Sequence, residues 1–351
     1  MKAFGYRVAG PANESLLEID LPLPAPGPRD LRVAVRAVSV NPADVKLRAN
    51  AAPPANGFRI LGFDAAGVVE SVGSEITLFK PGDEVFYAGA IDRSGSNSEF
   101  QIVDERLVGR KPRSLSFSEA AALPLTSLTA WELLFDRLGV TRSAINPGDQ
   151  DHNDAQGKSD ALLIINGAGG VGSILTQMAR RLTGLTVIAT ASRPETRAWC
   201  EKMGAHHVID HHRSLPDELE RIGVDPVRYV AGLTATGQHL PAIQSIIAPQ
   251  GALALIDDPE VLDIVPLKRK SVSVHWELMF TRSLYQTPDM QAQHSILQEV
   301  ADLVDSGTLR TTLTENAGPI DLETLKRVHL HLERGRGIGK TVLTGFGVAN
   351  E

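Results

Sequence analysis

The chain has 351 residues, of which 42% are hydrophobic and 22% are charged, and its formal net charge is -7 at pH 7. This length predicts two domains, the composition is typical of a soluble globular protein, and the mild negative charge disfavours nucleic acid as a main partner. No segment has the apolar core of a signal peptide or the length of a membrane span, so we expect a cytoplasmic protein without membrane contact.

Short apolar segments separated by Pro, Gly and Asn fill the first hundred residues. They read LRVAVRAVSV, GFDAAGVVESVG, GDEVFYAG and SEFQIVD. This spacing predicts a compact antiparallel β domain. From Ser116 the pattern becomes helical, with Ser116 or Ser118 as the N-cap and an interruption at Pro124. Residues 146–160 are polar and have no periodicity, which predicts a mobile surface loop.

Strands and helices alternate in the following part of the chain. The predicted strands are 161–166, 185–190, 207–209, 227–232, 252–256 and 271–276. This alternation predicts a doubly wound, mostly parallel sheet. Residues 289–305 then read as a helix, and GKTVLTGF reads as a strand that returns to the first domain.

A glycine motif follows the first strand of this series. Gly167, Gly169 and Gly172 have G-x-G-x-x-G spacing, and apolar residues then recur at helical spacing from Gly170 to Thr183. The first glycine allows a tight turn, the second a close approach to a pyrophosphate, and the third close packing of helix on strand. We predict that Gly167, Gly169, Gly170, Val171 and Gly172 bind a dinucleotide; a tight turn without a cofactor is the alternative.

The end of the next predicted strand bears on which dinucleotide binds. An NAD site usually has an Asp or Glu there to bind the ribose hydroxyls, whereas this chain has Ala191, Ser192 and Arg193. A hydroxyl and a guanidinium can bind a 2′-phosphate, which a carboxylate would repel. We therefore predict that Ser192 and Arg193 select NADP(H); the alternative is that Arg193 is a solvated loop residue.

Neither the cysteine nor the histidine cluster predicts a site of its own. The single cysteine, Cys200, lies in a helical pattern, so no intrachain disulfide can form and the thiol is expected to be a packing residue. His206, His207, His211 and His212 are close in sequence, but adjacent histidines on a strand point to opposite faces. Since only a pair could converge, a metal site there is not favoured.

Five segments together resemble one known superfamily. They are NPAD at 41–44, GFDAAGVV at 62–69, KPGDEV at 80–85, SFSEAAALPLTSLTAW at 116–131 and GAGGVG at 167–172. The chain resembles the medium-chain dehydrogenase/reductase superfamily, within it the quinone oxidoreductase branch, and by the run LKRKSVSVHWELMFTRSL the zinc-type alcohol dehydrogenase-like subgroup. The resemblance implies an α/β fold, with a GroES-like antiparallel β catalytic domain at 1–126, completed by 283–351, and a Rossmann NADP(H)-binding domain at 127–282.

The resemblance also implies roles for four residues. Asn41 and Asp44 would line the substrate cleft, Thr126 would contact the nicotinamide, and His211 would help to bind the 2′-phosphate. Each residue has a structural alternative. Asn-Pro-x-Asp can form an Asx-turn that caps a short helix, Thr126 can cap a helix, and His211 can be a solvated loop residue. For Asp44 the sequence is compatible with a catalytic and with a structural role.

A catalytic zinc does not fit the residues that the resemblance aligns. Zinc needs three protein ligands drawn from Cys, His, Asp or Glu, and residues 1–151 contain no Cys and no His. In the zinc-dependent members, a ligand Cys stands where this chain has Asn41, and a ligand His where it has Phe63. We therefore expect metal-free chemistry.

The function implied is NADPH-dependent hydride transfer to an electrophilic small molecule, either a quinone or an α,β-unsaturated carbonyl. Such acceptors delocalise the charge that develops, so they need no Lewis acid. The alternatives are a zinc-dependent alcohol dehydrogenase and a non-catalytic NADPH-binding protein.

The sequence also predicts how two copies of the chain would associate. Residues 269–276, RKSVSVHW, predict an edge strand that pairs with its copy in a homodimer; a charge-protected edge on a monomer is the alternative.

Overall fold

The computed structural model describes residues 1–54, 57–143 and 160–346. It divides into two compact units, one formed by Met1–Leu128 with Met279–Glu351 and the other by Thr129–Leu278. Nearly all of the predicted loop at 146–160 lies outside the described residues. Within the described part of the chain, no helix is both long enough and apolar enough to cross a membrane.

The first unit combines about the first third of the chain with its last seventy residues or so. Its N-terminal elements are β1 Lys2–Tyr6, α1 Ala12–Ser15, β2 Leu16–Asp20, β3 Asp30–Ser39, α2 Pro42–Asn50, β4 Arg59–Ile60, β5 Ala65–Val72, β6 Glu84–Tyr87, β7 Phe100–Asp104, a 3₁₀ helix Glu105–Leu107, β8 Val108–Arg110, α3 Phe117–Ala121 and α4 Pro124–Trp131. Its C-terminal elements are α9 Thr281–Leu284, α10 Ala292–Asp305, β15 Leu313–Asn316, α11 Leu322–Glu333 and β16 Lys340–Thr344.

Antiparallel pairing dominates the first unit, as the spacing of its apolar segments predicts. The larger sheet has the order β15-β16-β3-β5-β6-β8, with β7 also paired to β3, and the smaller sheet has the order β2-β1-β4. Along β3, inward residues such as Leu31, Val33 and Val35 are buried and alternate with more exposed ones. The last strand, β16, pairs with β3 through Val342 and Ser39, which places Lys340 beside the end of β3.

The second unit contains alternating strands and helices. Its elements are a π-helix Glu132–Arg137, β9 Ala161–Ile165, α5 Gly170–Leu182, β10 Thr186–Thr190, α6 Pro194–Met203, β11 His207–Ile209, α7 Leu215–Arg221, β12 Val227–Gly232, α8 Thr236–Ile246, β13 Ile247–Leu255, a 3₁₀ helix Val265–Lys270 and β14 Ser273–Trp276. They form one parallel sheet in the order β11-β10-β9-β12-β13-β14. The predicted α/β fold with a doubly wound parallel sheet is therefore confirmed.

Some predicted boundaries were wrong. Pro124 begins α4 rather than only interrupting a helix, since proline is well tolerated in a first helical turn. The strand predicted at 252–256 starts earlier, at Ile247. The strand predicted to start at Arg269 or Ser271 begins at Ser273, because the preceding residues form a 3₁₀ helix and Ser271 has a φ of 52°.

Candidate functional site

The glycine turn of the second unit has the close packing that its motif predicts. An added Cβ on Gly172 would lie 2.5 Å from the carbonyl oxygen of Asn166, and one on Gly167 would lie 2.6 Å from Cβ of Ala189. Helix α5 begins at Gly170 after the N-cap Gly169, and it has neither a side-chain cap nor an acidic residue in its first turn. The positive end of the helix is therefore available to an anion such as a pyrophosphate.

Three strand ends meet at the carboxyl edge of the parallel sheet. Asn166, which follows β9 with a φ of 68°, donates its N–H to the hydroxyl of Thr190 over 3.0 Å. Its side-chain amide contacts the hydroxyl of Thr234, which follows β12, over 3.4 Å. In doubly wound sheets ligands bind at this edge where the strand order reverses, here between β9 and its two neighbours.

Ser192 and Arg193 lie at the same edge, directly after β10. The N–H of Ala191 donates to the carbonyl of Ile209 over 2.9 Å, which brings this segment beside the end of β11. Arg193 is the N-cap residue of α6, and its guanidinium lies 3.3 Å from Glu195 with both side chains more than one-third exposed. An exposed pair of this kind is weak, so the guanidinium can exchange Glu195 for a phosphate.

His211 lies in an imidazole cluster next to this segment. Its ring centroid is 4.5 Å from that of His212 and 6.2 Å from that of His239 in α8. Nδ1 of His211 is buried and has no hydrogen-bond partner. Burial, together with the neighbouring imidazoles, lowers the pKa of His211, so the ring is neutral at pH 7.

The four histidines that are close in sequence do not form one cluster in the structure. His206 accepts the N–H of Val187 at Nδ1 over 2.9 Å and contacts Arg180 at Nε2, away from His211 and His212. Across residues 1–54, 57–143 and 160–346, no three His, Cys, Asp or Glu side chains are arranged to hold a metal ion. Cys200 is a buried packing residue, with its sulfur 3.2 Å from where a Cβ of Gly167 would lie.

In the first unit, Asn41 and Asp44 begin α2 as a reciprocal capping box. The N–H of Asn41 donates to Oδ2 of Asp44 over 2.8 Å, and Oδ1 of Asp44 accepts the N–H of Gly62 over 2.8 Å. Both residues are buried, and burial raises the pKa of Asp44 to about 7. The structure thus gives Asp44 a capping role, and its catalytic role stays a prediction.

The carboxamide of Asn41 is engaged within a buried polar cluster, which we define as Asn41, Asp44, Asp64 and Lys340. Nδ2 of Asn41 donates to Oδ2 of Asp64 over 2.8 Å and to the carbonyl of Ser39 over 3.3 Å. Its Oδ1 accepts a hydrogen bond from Lys340. A direct contact of this amide with substrate would have to displace one of these bonds, so we interpret Asn41 as a positioning residue.

Two members of the buried polar cluster were not recognised in the sequence. Asp64 is a lone acid inside the apolar run GFDAAGVV, and Lys340 is a lone base at the start of KTVLT. An isolated charge within an apolar strand segment is the signal that could have revealed them, because such a charge needs a buried partner. Their pairing joins positions 276 residues apart.

Thr126 and Phe63 are also buried. The Thr126 hydroxyl donates to the carbonyl of Leu123 over 3.2 Å in the first turn of α4, whereas a capping hydroxyl would accept a backbone N–H. Phe63, which occupies the position of a zinc-ligand histidine in the resembled family, packs edge-on against Phe280 with ring centroids 5.4 Å apart. This position therefore belongs to the hydrophobic core and supplies no metal ligand.

A buried acid pair lies in the second unit. Glu132 in the π-helix and Glu277 after β14 are each at most 3% exposed, and Nε of Arg137 lies 2.7 Å from Oε2 of Glu277. Burial and the neighbouring Glu132 raise the pKa of Glu277 to about 8, against the opposing effect of Arg137. One guanidinium serves two carboxyl groups, so the second carboxyl retains its proton near neutral pH.

Two family models match the chain. One described as an alcohol dehydrogenase GroES-like domain matches residues 27–128, and one described as a zinc-binding dehydrogenase matches residues 203–343. Among curated relatives, a zinc-type alcohol dehydrogenase-like protein of Staphylococcus aureus is 41% identical over 321 residues, covering 91% of this chain and 92% of that protein. A 2-methylene-furan-3-one reductase of Solanum lycopersicum is 26% identical, covering 98% of this chain and 79% of that protein.

Solved structures with the same fold come from related proteins. A Rhizobium etli protein provisionally described as a zinc-dependent alcohol dehydrogenase has a TM-score of 0.92 and 52% identity, with 99% of each chain covered. A quinone oxidoreductase of Pseudomonas syringae has a TM-score of 0.78 and 28% identity, covering 98% of this chain and 99% of that one.

Proposed function

The chain belongs to the medium-chain dehydrogenase/reductase superfamily, and from this premise we propose that it is an NADPH-dependent oxidoreductase that reduces a quinone or an α,β-unsaturated carbonyl without a metal. The observation that carries the proposal is the glycine turn. It combines a backbone too close for any side chain at Gly172 with a helix N-terminus open to an anion. Family membership makes the protein an oxidoreductase; the cofactor and the acceptor are what we propose.

The residues after β10 and β11 support NADPH as the cofactor. Gly167, Gly169, Gly170, Val171 and Gly172 would hold the pyrophosphate. Ser192, Arg193 and His211 would contact the 2′-phosphate, and no carboxylate stands at 191–193 to repel it. The bound cofactor supplies a hydride.

The residues of the first unit favour an acceptor that needs no Lewis acid. Asn41 and Phe63 replace the zinc ligands of zinc-dependent members, and neither side chain can serve as a substitute ligand here. Reduction of a simple ketone develops a localised alkoxide, whereas a quinol anion or an enolate is stabilised by resonance. The names of the Pseudomonas and tomato relatives are consistent with such acceptors.

A screen of NADPH consumption tests this proposal. Purified protein is expected to oxidise NADPH in the presence of at least one quinone, enal or enone, with Thr126 positioned against the nicotinamide and Asn41 and Asp44 holding the surrounding backbone. Tight NADPH binding without turnover over a broad panel of such acceptors would instead support a non-catalytic NADPH-binding protein.

We further propose that the protein is a homodimer joined through β14, the edge strand of the parallel sheet. The N–H of Glu277 donates to Leu255 in β13 over 2.9 Å, so by strand alternation the N–H groups of Val274 and Trp276 point outward. Trp276 is also 56% exposed. A second copy of β14 would pair with these groups and cover this surface.

Sedimentation of the wild type and of Val274→Pro tests the dimer. Proline removes an outward N–H without breaking the ladder to β13, so it is expected to convert a dimer into a monomer that still unfolds cooperatively. A wild type that sediments as a monomer at micromolar concentration would end the proposal.

A further inference from the structure

A buried lysine organises the polar cluster of the first unit. Nζ of Lys340 donates to Oδ2 of Asp64 over 2.9 Å and also to Oδ1 of Asn41. The exposed fraction of the side chain is 4% for Lys340 and 0% for Asp64. Burying two charges is costly unless hydrogen bonds satisfy both, and here each group has several. The proposed function assigns no role to the pair of Lys340 and Asp64.

The second oxygen of Asp64 is bound to the helix that carries Thr126. Oδ1 of Asp64 accepts the N–H of Leu125 over 2.7 Å, and Leu125 is the second residue of α4. The first N–H groups of a helix have no partner within the helix, and a carboxylate there is favoured by the helix dipole. Asp64 therefore fixes the first turn of α4, and Thr126 is the next residue along that turn.

We propose that Lys340 is a positioning residue for hydride transfer: it holds the Asp64 carboxylate in a buried ion pair, and that carboxylate fixes the turn of α4 on which Thr126 lies. Lys340 also orients Asn41, whose amide donates to the same carboxylate oxygen. The inference rests on the proposed function, since Thr126 contacts a nicotinamide only if the protein binds one. Lys340 itself does not touch the reacting atoms.

Two charged groups face Asp64 from neighbouring elements, Lys340 on β16 and Asp44 on α2. Burial raises the pKa of Asp64, and the ammonium of Lys340 is the largest opposing influence. Without the ammonium, burial favours the protonated acid, and Asp44, whose own pKa is about 7, adds no negative charge at low pH. Protonation weakens Asp64 as an acceptor for the N–H of Leu125, so the α4 turn loosens as the pH falls.

The test is the pH profile of Lys340→Met. Its kcat is expected to be about 10-fold below wild type at low pH and to recover as the pH rises and Asp64 ionises, since small displacements of a positioning group cost this much or more. The dissociation constant for NADPH, whose phosphates bind in the second unit, is expected to stay within about twofold of wild type. Lys80→Met, an exposed lysine of the same unit, is the matched control and should leave the pH profile unchanged.

Amide hydrogen exchange provides a readout that does not need turnover. The N–H of Leu125 is expected to exchange faster in Lys340→Met than in wild type at the same pH, while Lys80→Met leaves it unchanged. Faster exchange in Lys340→Met, together with a wild type that reduces no acceptor, would mean that the proposed function had failed and the Lys340–Asp64 link had not. A folded Lys340→Met with wild-type exchange and a wild-type pH profile would overturn the inference.

A neutral double variant covers the case in which Lys340→Met does not fold. Asp64→Asn with Lys340→Met removes both charges and leaves an amide oxygen for the N–H of Leu125. Its kcat is expected to be lower than that of the wild type, because a neutral amide holds the helix terminus less strongly than a carboxylate does. Its kcat is also expected to lack the pH-dependent recovery of Lys340→Met, because the asparagine amide at position 64 does not titrate. Wild-type kcat in this double variant would contradict the proposal.

Discussion

Glu277→Gln is expected to flatten the pH dependence of stability. The wild type keeps a proton on Glu277 up to a pKa of about 8, whereas in the unfolded chain an ordinary glutamate loses it near pH 4.5. Between those two values unfolding releases a proton, so wild-type stability falls as the pH rises, by up to about 1.4 kcal/mol per pH unit, and stops falling above the folded pKa. Gln mimics the protonated acid and has nothing to titrate.

Urea unfolding followed by tryptophan fluorescence measures the unfolding free energy of the second unit, which contains Glu277. All three tryptophans, Trp131, Trp199 and Trp276, lie within Thr129–Leu278. The difference in unfolding free energy between Glu277→Gln and wild type should grow in favour of the variant from pH 5 to pH 8. Glu323→Gln, at an 85% exposed side chain, should follow the wild type. Parallel curves for wild type and Glu277→Gln would show that the acid pair holds no proton.

Arg193→Ala is expected to weaken NADPH binding by about 1.5–3 kcal/mol, the range for hydrogen bonds to charged groups, and to leave NADH binding almost unchanged. The wild type is expected to bind NADPH much more tightly than NADH. The lost ion pair with Glu195 adds little, because both side chains are more than one-third exposed.

Fluorescence titration of both cofactors measures this selectivity. Arg181→Ala, which removes an exposed guanidinium at the other end of α5, is the matched control and should bind both cofactors as the wild type does. Equal affinities of the wild type for NADPH and NADH, or tighter binding of NADH, would refute the assignment of Ser192 and Arg193.

Local pattern predicted the parallel sheet and the shape of the glycine turn. The all-buried strand Ala161–Ile165 and the spacing of Gly167 to Gly172 lie within a few residues of one another, and their packing is set by that spacing. The boundary of β14 was harder, because RKSVSVHW alternates like a strand over its whole length. The 3₁₀ helix Val265–Lys270 makes the strand shorter than this alternation predicts.

The buried charges could not be placed from the sequence. Asp64 and Lys340 are 276 residues apart, and Arg137 and Glu277 are 140 apart, so no local periodicity relates either pair. Asp64 and Lys340 were each visible as a lone charge in an apolar segment, but their pairing depends on how β3, β5 and β16 pair. Asn41 and Asp44 were found as a motif, and the structure shows the capping box that the sequence had left as one of two readings.

The most direct test of metal-free NADPH chemistry is the rate of NADPH oxidation with an active quinone or enone, measured before and after prolonged chelation and again after zinc is added back. The residues at the zinc positions, Asn41 and Phe63, lead us to expect the same rate in all three conditions. Stoichiometric zinc in the purified protein, with activity lost on its removal and restored on its return, would contradict the account.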